Sequence, residues 1–180
     1  MKRTYSKLYE CEFGRFLLTS DGEALNGLLV LKDKVTTLRR SLEIPEGVSS
    51  LFAATERQLQ RYFDGHIEKF SLPLRLEGTP FQWTVWNALT EIPFGTTVSY
   101  SELARRIGQP KACRAIGNAN GKNPICIIVP CHRVISNDGE IGGYSGGLPL
   151  KRKLLKLESQ PQRRPVTRIL PKDTGYTAHP

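Results

Sequence analysis

A thiol, an imidazole and a guanidinium stand side by side in the pentad formed by Pro130, Cys131, His132, Arg133 and Val134. A cysteine becomes a soft nucleophile once its proton is removed, and a nearby base or cation favours the thiolate. Because adjacent side chains rarely face each other, we expect His132 to act on Cys131 through a special turn or a bridging water. The alternative that the pentad leaves open is an inert buried thiol beside a hydrogen-bonded histidine.

The segment before the pentad is apolar and rich in β-branched residues over 125–129. Proline cannot continue a central strand, so Pro130 should end this segment. We therefore predict a buried strand over residues 125–129, followed by a loop that holds the pentad. A reactive thiolate is expected at such a place, next to an imidazole and a guanidinium.

The composition is that of an ordinary globular protein, with 39% hydrophobic and 24% charged residues among 180. No apolar run approaches the roughly 20 residues that a membrane span needs, and the basic start of the chain precedes no hydrophobic stretch. We therefore expect a cytoplasmic protein without a membrane partner. The four cysteines and three histidines lack the spacing of metal ligands, so we predict free thiols, no metal and no cofactor.

The formal net charge is +9, from 26 basic and 17 acidic residues. Acidic residues are frequent up to Glu91, whereas lysine and arginine dominate from Arg105 onward. This asymmetry favours a polyanionic partner for the C-terminal half, although a basic balance is also a common way to stay soluble.

The first 75 residues have the pattern of a small domain with strands and one helix. Two β-favouring runs, residues 11–19 and 24–31, flank Asp21 and Gly22, a hairpin signal. Apolar residues at helical spacing from Ser50 predict a helix that ends near Gly65. The extended, proline-containing stretch over residues 71–78 is the predicted domain boundary.

Three helix starts follow this boundary. Thr79 and Gln82 form a capping-box pattern, and Ser99 with Glu102 forms a second one. A third helix is predicted over residues 111–119. The last two helices resemble a helix-turn-helix with a basic second helix, and a plain αα-hairpin in the core is the alternative.

Glycines dominate residues 141–147, with an aromatic and a hydroxyl side chain between them. Such a backbone can approach a flat ligand closely. A basic amphipathic helix is predicted over residues 148–158. The remaining tail is rich in proline, arginine and lysine and lacks periodicity, so we expect it to be flexible.

Together these motifs resemble the active-site signature of the O6-alkylguanine-DNA alkyltransferases, most closely the bacterial single-protein forms. The resemblance covers about 80 residues, from Thr79 to Glu158, in several separated motifs. The motifs around the pentad are Gly121-Lys122-Asn123-Pro124 and Gly143-Tyr144-Ser145-Gly146-Gly147-Leu148, and those before it are Thr79-Pro80-Phe81-Gln82, Val98-Ser99-Tyr100 and Arg114-Ala115-Ile116-Gly117.

The resemblance implies an α/β (α+β) fold in two domains. A small mixed β-sheet domain with a helix, ribonuclease-H-like, would occupy residues 1–75. A mainly helical domain with a winged helix-turn-helix and the active-site cysteine loop would occupy residues 76–160, before a flexible basic tail over 161–180. Zinc-binding members use ligands near the N terminus, where this chain offers only Cys11 and His66.

The implied function is direct-reversal DNA repair by a monomer acting on double-stranded DNA. The alkyl group of O6-alkylguanine, and of O4-alkylthymine, would move to Cys131 in a single turnover that inactivates the protein. His132 would take the thiol proton through a water, and Glu158 would orient the imidazole. Tyr100 would bond guanine N3, and Asn123 would brace the cysteine loop against the helix-turn-helix.

The resemblance also assigns substrate and DNA contacts. Ser145 would donate to O6, Tyr144 and Gly146 would line the pocket, and the carbonyls of Cys131 and Val134 would accept from the exocyclic amine. Arg114 would fill the space left by the flipped base. The remaining DNA contacts would come from Ala115, Gly117 and Arg133.

Three other functions remain open at this point. A DNA-binding regulator would use Cys131 as a thiol sensor, and a Cys-His hydrolase would act catalytically on a small molecule. A relative that binds damage without repairing it would carry another residue at the nucleophile position. The presence of Cys131 favours real transfer.

Overall fold

A computed structural model describes residues 3–31 and 43–160. Its first part is an antiparallel sheet in the order β1-β2-β3. The predicted turn at Asp21 is confirmed, because its carboxylate accepts the backbone N–H groups of Glu23 and Ala24. The strands are β1 (Tyr5–Cys11), β2 (Gly14–Ser20) and β3 (Leu25–Leu31).

The N-terminal sheet departs from the sequence prediction in two ways. The run over residues 11–19 is not one strand, because the chain turns between Cys11 and Gly14, whose φ of +132° favours glycine. The strands pair antiparallel rather than as a mixed sheet. Parallel pairing involving this described sheet is limited to isolated bridges, from Leu25 to Leu74 and from Leu28 to Ile125.

Helix α1 (Glu46–Phe63) follows the residues that lie outside the described ranges. It begins four residues before the predicted start and ends as predicted before Gly65, whose φ is +73°. Its apolar face is buried, and the ring of Phe63 stacks on those of Phe13 and Phe16. This packing ties the helix to the sheet.

The second part of the chain is mainly helical, as predicted. The capping box of Thr79 and Gln82 is confirmed, and Ser99 accepts the backbone N–H of Glu102. The indole of Trp86 donates to the carbonyl of Ala119 at 2.9 Å, which fixes α2 on α4. The elements are α2 (Pro80–Thr90), β4 (Val98–Ser99), α3 (Tyr100–Arg106), α4 (Cys113–Gly121), β5 (Val134–Ile135) and α5 (Leu148–Glu158).

Helices α3 and α4 pack together as the expected helix-turn-helix pair, and Gly108 turns the chain with a φ of +70°. Helix α4 begins two residues later than predicted. The strand element beside the pair is the short parallel ladder of β4 and β5. Among the residues described, no helix is long and apolar enough to cross a bilayer.

The prediction of a strand over residues 125–129 is wrong. The segment forms turns, with backbone bonds from Ile128 to Cys126 and from Val129 to Ile125, and only Ile125 bridges to a strand. Ile127 has a φ of +70°, which a β-branched residue rarely adopts. The run is apolar because the turns lie in the core, and a short apolar run cannot distinguish these two cases.

Candidate active site

The Glu158 carboxylate, at the end of α5, is the most heavily hydrogen-bonded group of the site. Burial alone would raise its pKa, but hydrogen bonds from His132 and Arg133 outweigh burial and lower the pKa to about 2. Glu158 is therefore ionised and can only accept. Its donors are His132 Nε2 at 2.9 Å, Arg133 Nε and a second guanidinium nitrogen at 2.9 Å each, Gly95 N at 3.2 Å and the Tyr62 hydroxyl at 2.5 Å.

His132 is fully buried in the 3-10 turn Cys131–Arg133. Burial lowers the pKa of its imidazole, against the effect of Glu158, so the ring is neutral at neutral pH. Because Glu158 accepts only, His132 Nε2 must carry the ring proton. Its Nδ1 is buried without a hydrogen-bond partner in the described part of the chain, which leaves a basic lone pair free.

Cys131 opens the same turn with its side chain 1% exposed. Its N–H donates to Val129 at 2.8 Å, and its carbonyl accepts from Asn120 Nδ2 at 3.2 Å. Burial raises the pKa of the thiol, while Asn123, Tyr144 and Lys151 act in the opposite direction. The thiol therefore keeps its proton until a base removes it.

The cysteine loop is held from both halves of the protein. Asn123 Nδ2 donates to Val129 O at 2.8 Å and its Oδ1 accepts from Ile125 N at 3.0 Å, so Asn123 braces the loop internally. From the N-terminal sheet, Leu28 N donates to Pro124 O at 2.8 Å and Leu28 O accepts from Cys126 N at 3.1 Å. Strand β3 therefore fixes the approach to the cysteine.

The helix-turn-helix presents the residues expected to contact DNA. Arg114 and Ala115 are exposed on α4, and Gly117 lies against the ring of Tyr100. Burial raises the pKa of the Tyr100 phenol, Asn120 lowers it, and the charge of Cys131 raises it, so Tyr100 lies near the thiol. Tyr100 thus stands between the exposed helix and Cys131.

The glycine-rich segment carries Tyr144, Ser145 and Gly146, the three residues expected to contact the substrate base. A side chain at Gly146 would lie 2.7 Å from the Tyr144 ring and 2.9 Å from Val30, so only glycine fits. Ser145 is exposed and, with Gly146, lines a cavity of about 440 Å³ that also reaches Cys126. The Tyr144 hydroxyl is buried and accepts or donates no hydrogen bond within the described ranges.

Two backbone carbonyls expected to bind the exocyclic amine already have donors. Val134 O accepts from Lys151 Nζ at 2.6 Å, and Cys131 O accepts from Asn120. The Val134 N–H also donates to Cys131 O, so both lone pairs of that carbonyl are used inside the protein. Lys151 is fully buried, which lowers the pKa of its amine to about 8.

Arg133 requires a correction, because it was expected to contact DNA. Its side chain is 6% exposed, and its guanidinium binds Glu158 with two nitrogens and the Ile92 carbonyl with the third at 2.6 Å. All of its nitrogens are used inside the protein. Arg133 therefore positions Glu158 rather than a phosphate.

Sequence reasoning missed three polar residues of this site: Tyr62, Asn120 and Lys151. Lys151 shares one face of α5 with Leu154 and Glu158, and a lysine on an apolar helix face is a detectable signal. Asn120 precedes the Gly121 motif but carries no such signal. Tyr62 lies 96 residues from Glu158, so no local pattern could join them.

Within the described ranges, no group of three or more histidine, cysteine, aspartate or glutamate residues is arranged to hold a metal ion. The described cysteines are all free thiols.

Comparison with known proteins finds two family models that match consecutive parts of the chain. Residues 4–76 match the family model "6-O-methylguanine DNA methyltransferase, ribonuclease-like domain", and residues 80–160 match its "DNA binding domain". A methylated-DNA--protein-cysteine methyltransferase of Methanosarcina acetivorans is 46% identical over 157 residues, which are 86% of this chain and 97% of that protein. One from Haemophilus influenzae is 42% identical over 165 residues, 89% of each chain.

The fold is also similar to solved structures. The Mycobacterium tuberculosis protein OGT, solved in complex with DNA, superposes with a TM-score of 0.75 and 43% sequence identity, covering 86% of this chain and 92% of that one. The two family-model matches together span far more than half of the chain. With Cys131, His132 and Glu158 assembled as described, this chain belongs to the 6-O-methylguanine DNA methyltransferase family.

Proposed function

We propose that this protein repairs DNA by direct reversal, with Cys131 as the acceptor of the alkyl group from guanine O6. The observation that carries the proposal is the unpartnered Nδ1 of His132 beside a buried thiol, in a ring whose Nε2 is bonded to Glu158. This is the arrangement of a nucleophile, a base and an orienting carboxylate. The family to which the chain belongs supports the same reaction.

The transfer forms one bond and breaks one. His132 Nδ1 takes the Cys131 proton through a water, and the thiolate sulfur attacks the alkyl carbon. The S–C bond forms as the C–O6 bond breaks, and guanine leaves with the electron pair. The proton that Cys131 loses is balanced by one that guanine gains, for which Tyr100 is the proposed donor at N3. The S-alkyl cysteine that forms is a stable thioether and does not return to the thiol, so each molecule reacts once.

The target base must leave the duplex to reach a buried thiol, at a cost of a few kcal/mol. We assign Arg114, exposed on α4, to the space that the base vacates, with Ala115 and Gly117 allowing close approach. Ser145 would donate to O6, Tyr144 and Gly146 would line the pocket, and the carbonyl of Val134 would accept from the exocyclic amine. O4-alkylthymine would fit the same donors.

The domain organisation, the DNA partner, the oligomeric state and the location are part of the same proposal. We propose a domain boundary near residue 75, a DNA-binding and transfer domain over 76–160, and a basic segment over 161–180 that lies outside the described residues. The partner would be double-stranded DNA, since a similar protein was solved with DNA. A monomer acting in the cytoplasm completes the proposal.

Intact-protein mass spectrometry tests this function directly. After incubation with a duplex that contains O6-methylguanine, the protein should gain one methylene mass, about 14 Da, which peptide mapping places on Cys131. Cys131→Ala should show no gain but still bind the duplex, and Cys11→Ala, which changes a half-buried thiol in β1, should react normally. Tight binding without any gain would instead indicate a protein that binds damage without repairing it.

A further inference from the structure

The Tyr62 hydroxyl enters the catalytic network from the other half of the protein. Tyr62 lies in α1, is fully buried, and packs against the rings of Phe70 and Phe94. Its oxygen is 2.5 Å from Glu158 Oε1 and 3.4 Å from His132 Nε2. In the described structure, this contact joins the N-terminal helix to the carboxylate that orients the base.

The proton positions follow from the chemistry of the three groups. Glu158 is ionised, so it accepts from both Tyr62 and His132 at the same oxygen. Burial, followed by the charge of Glu158, raises the pKa of the Tyr62 phenol well above its usual value, so the hydroxyl keeps its proton and donates it. The lone pair of His132 is then at Nδ1.

The phenol also controls how strongly Glu158 attracts the imidazole proton. A donor shared on Oε1 reduces the negative charge that this oxygen presents to His132 Nε2. The other charged or titratable groups that act on the ring, Arg133 and Lys151, lower its pKa. Without the phenol, the carboxylate would hold an imidazolium more tightly, and less of the base would be free at neutral pH.

We propose that Tyr62 is a positioning residue of the transfer reaction: its hydroxyl fixes Glu158 against His132 and keeps Nδ1 free to accept the proton of Cys131. This inference rests on the proposed function. It makes α1 part of the catalytic machinery, although α1 lies outside the domain that carries the cysteine. Tyr144, whose pKa responds to Tyr62, faces the same network from the glycine-rich segment.

The test is to remove the hydroxyl and keep the ring. Tyr62→Phe retains the contacts with Phe70 and Phe94, and Tyr9→Phe makes the same change at a hydroxyl that donates to Gln60 at 3.3 Å, away from Glu158 and His132. The full chain labelled with ¹⁵N-histidine contains three histidines, and His132→Gln identifies the resonances of His132. Long-range proton–nitrogen spectra then report which ring nitrogen is protonated at each pH.

Tyr62→Phe should raise the pH at which His132 titrates by about half a unit or more. The pH–rate profile of single-turnover transfer should move to higher pH by the same amount, so transfer slows up to about threefold on the acidic side and recovers as the base loses its proton. Tyr9→Phe should match the wild type in both measurements. A fluorinated tyrosine at position 62 is a stronger hydrogen-bond donor, so it should lower the pH at which His132 titrates.

Two results would overturn the inference. One is a His132 titration and pH–rate profile unchanged by Tyr62→Phe. The other is a rate lowered equally at every pH with unchanged histidine spectra, which would indicate a packing role. If the wild type itself transfers no methyl group, the proposed function fails, whereas the histidine spectra still decide whether Tyr62 controls the proton.

Discussion

At the scale of single residues, the site separates the group that reacts from the groups that prepare it. Burial keeps Cys131 protonated and His132 neutral, so both begin in the form that the reaction requires. Of Cys131, His132 and Glu158, the carboxylate of Glu158 is the one held in its charged form, by the guanidinium of Arg133 and the imidazole N–H. The negative charge therefore lies on Glu158, which bonds to His132 and not to the thiol, so it orients the base without repelling a thiolate.

The buried carboxylate should make the protein sensitive to acid. Because the pKa of Glu158 is about 2 when folded and 4.5 when exposed, its contribution is present above pH 4.5 and disappears as pH falls toward 2. That contribution amounts to about 3 kcal/mol at neutral pH. Urea unfolding between these pH values should therefore show a steep loss of stability in the wild type.

Glu158→Gln should flatten this pH dependence while lowering the stability at pH 7 by about 3–5 kcal/mol, because Arg133 would be left buried without its partner. The matched control is Glu102→Gln, which removes a carboxylate paired with Arg105 and Arg106 on the surface of α3. It should change the stability little, because solvent screens an ion pair on the surface. Equal slopes for wild type and Glu158→Gln would contradict the assignment.

At the scale of elements, local sequence patterns correctly predicted the features that depend on bonds between residues close in the chain. The capping box of α2 and the Asp21 turn were correct because their partners lie within four residues. The turns over 125–129 were missed because a short apolar run does not distinguish buried turns from a buried strand, and the bonds that anchor the start of the segment come from Leu28, about a hundred residues away along the chain. The proposed catalytic residues Cys131, His132 and Glu158 were recognisable as motifs, whereas the Tyr62 contact depends on how α1 packs on α5.

The turn after α2 offers a test of how the elements hold Glu158. Gly95 has a φ of +73°, and a side chain there would lie 2.9 Å from the Glu158 carbonyl. Its N–H also donates to Glu158 Oε2. Gly95→Ala should therefore lower the free energy of unfolding by about 2–4 kcal/mol, from backbone strain and the clash together.

Gly108→Ala separates the two causes of this loss. Gly108 has a similar φ of +70°, but a side chain there would contact nothing within 4 Å. Gly108→Ala should lower the free energy of unfolding by only about 1–2 kcal/mol, which is the cost of the left-handed conformation. Chemical denaturation measures the free energy of unfolding of both variants. Equal losses would mean that a side chain at position 95 does not clash with the Glu158 carbonyl.

At the scale of the whole molecule, charge and exposure point to the same face. The net charge is +9, and the basic excess lies in the half that contains the helix-turn-helix. Arg114 and Lys111 are both exposed near the start of α4, while Arg133, equally basic, is turned inward. A polyanion would therefore meet α4 first, with Cys131 behind Tyr100.

If Arg114 fills the space of a flipped base, Arg114→Ala should lower the transfer rate, whereas Lys111→Ala should lower the affinity for DNA. Arg114→Ala should slow methyl transfer from duplex DNA about 10- to 100-fold at saturating protein, because the cost of unstacking is no longer offset. Transfer from the free base O6-methylguanine needs no flipping and should keep its rate. Lys111→Ala should weaken binding and reduce the salt slope by about 1, with little change in the rate at saturation. If Arg114→Ala affected the duplex and the free base equally, Arg114 would act on the site itself, and the exposed start of α4 would need another role.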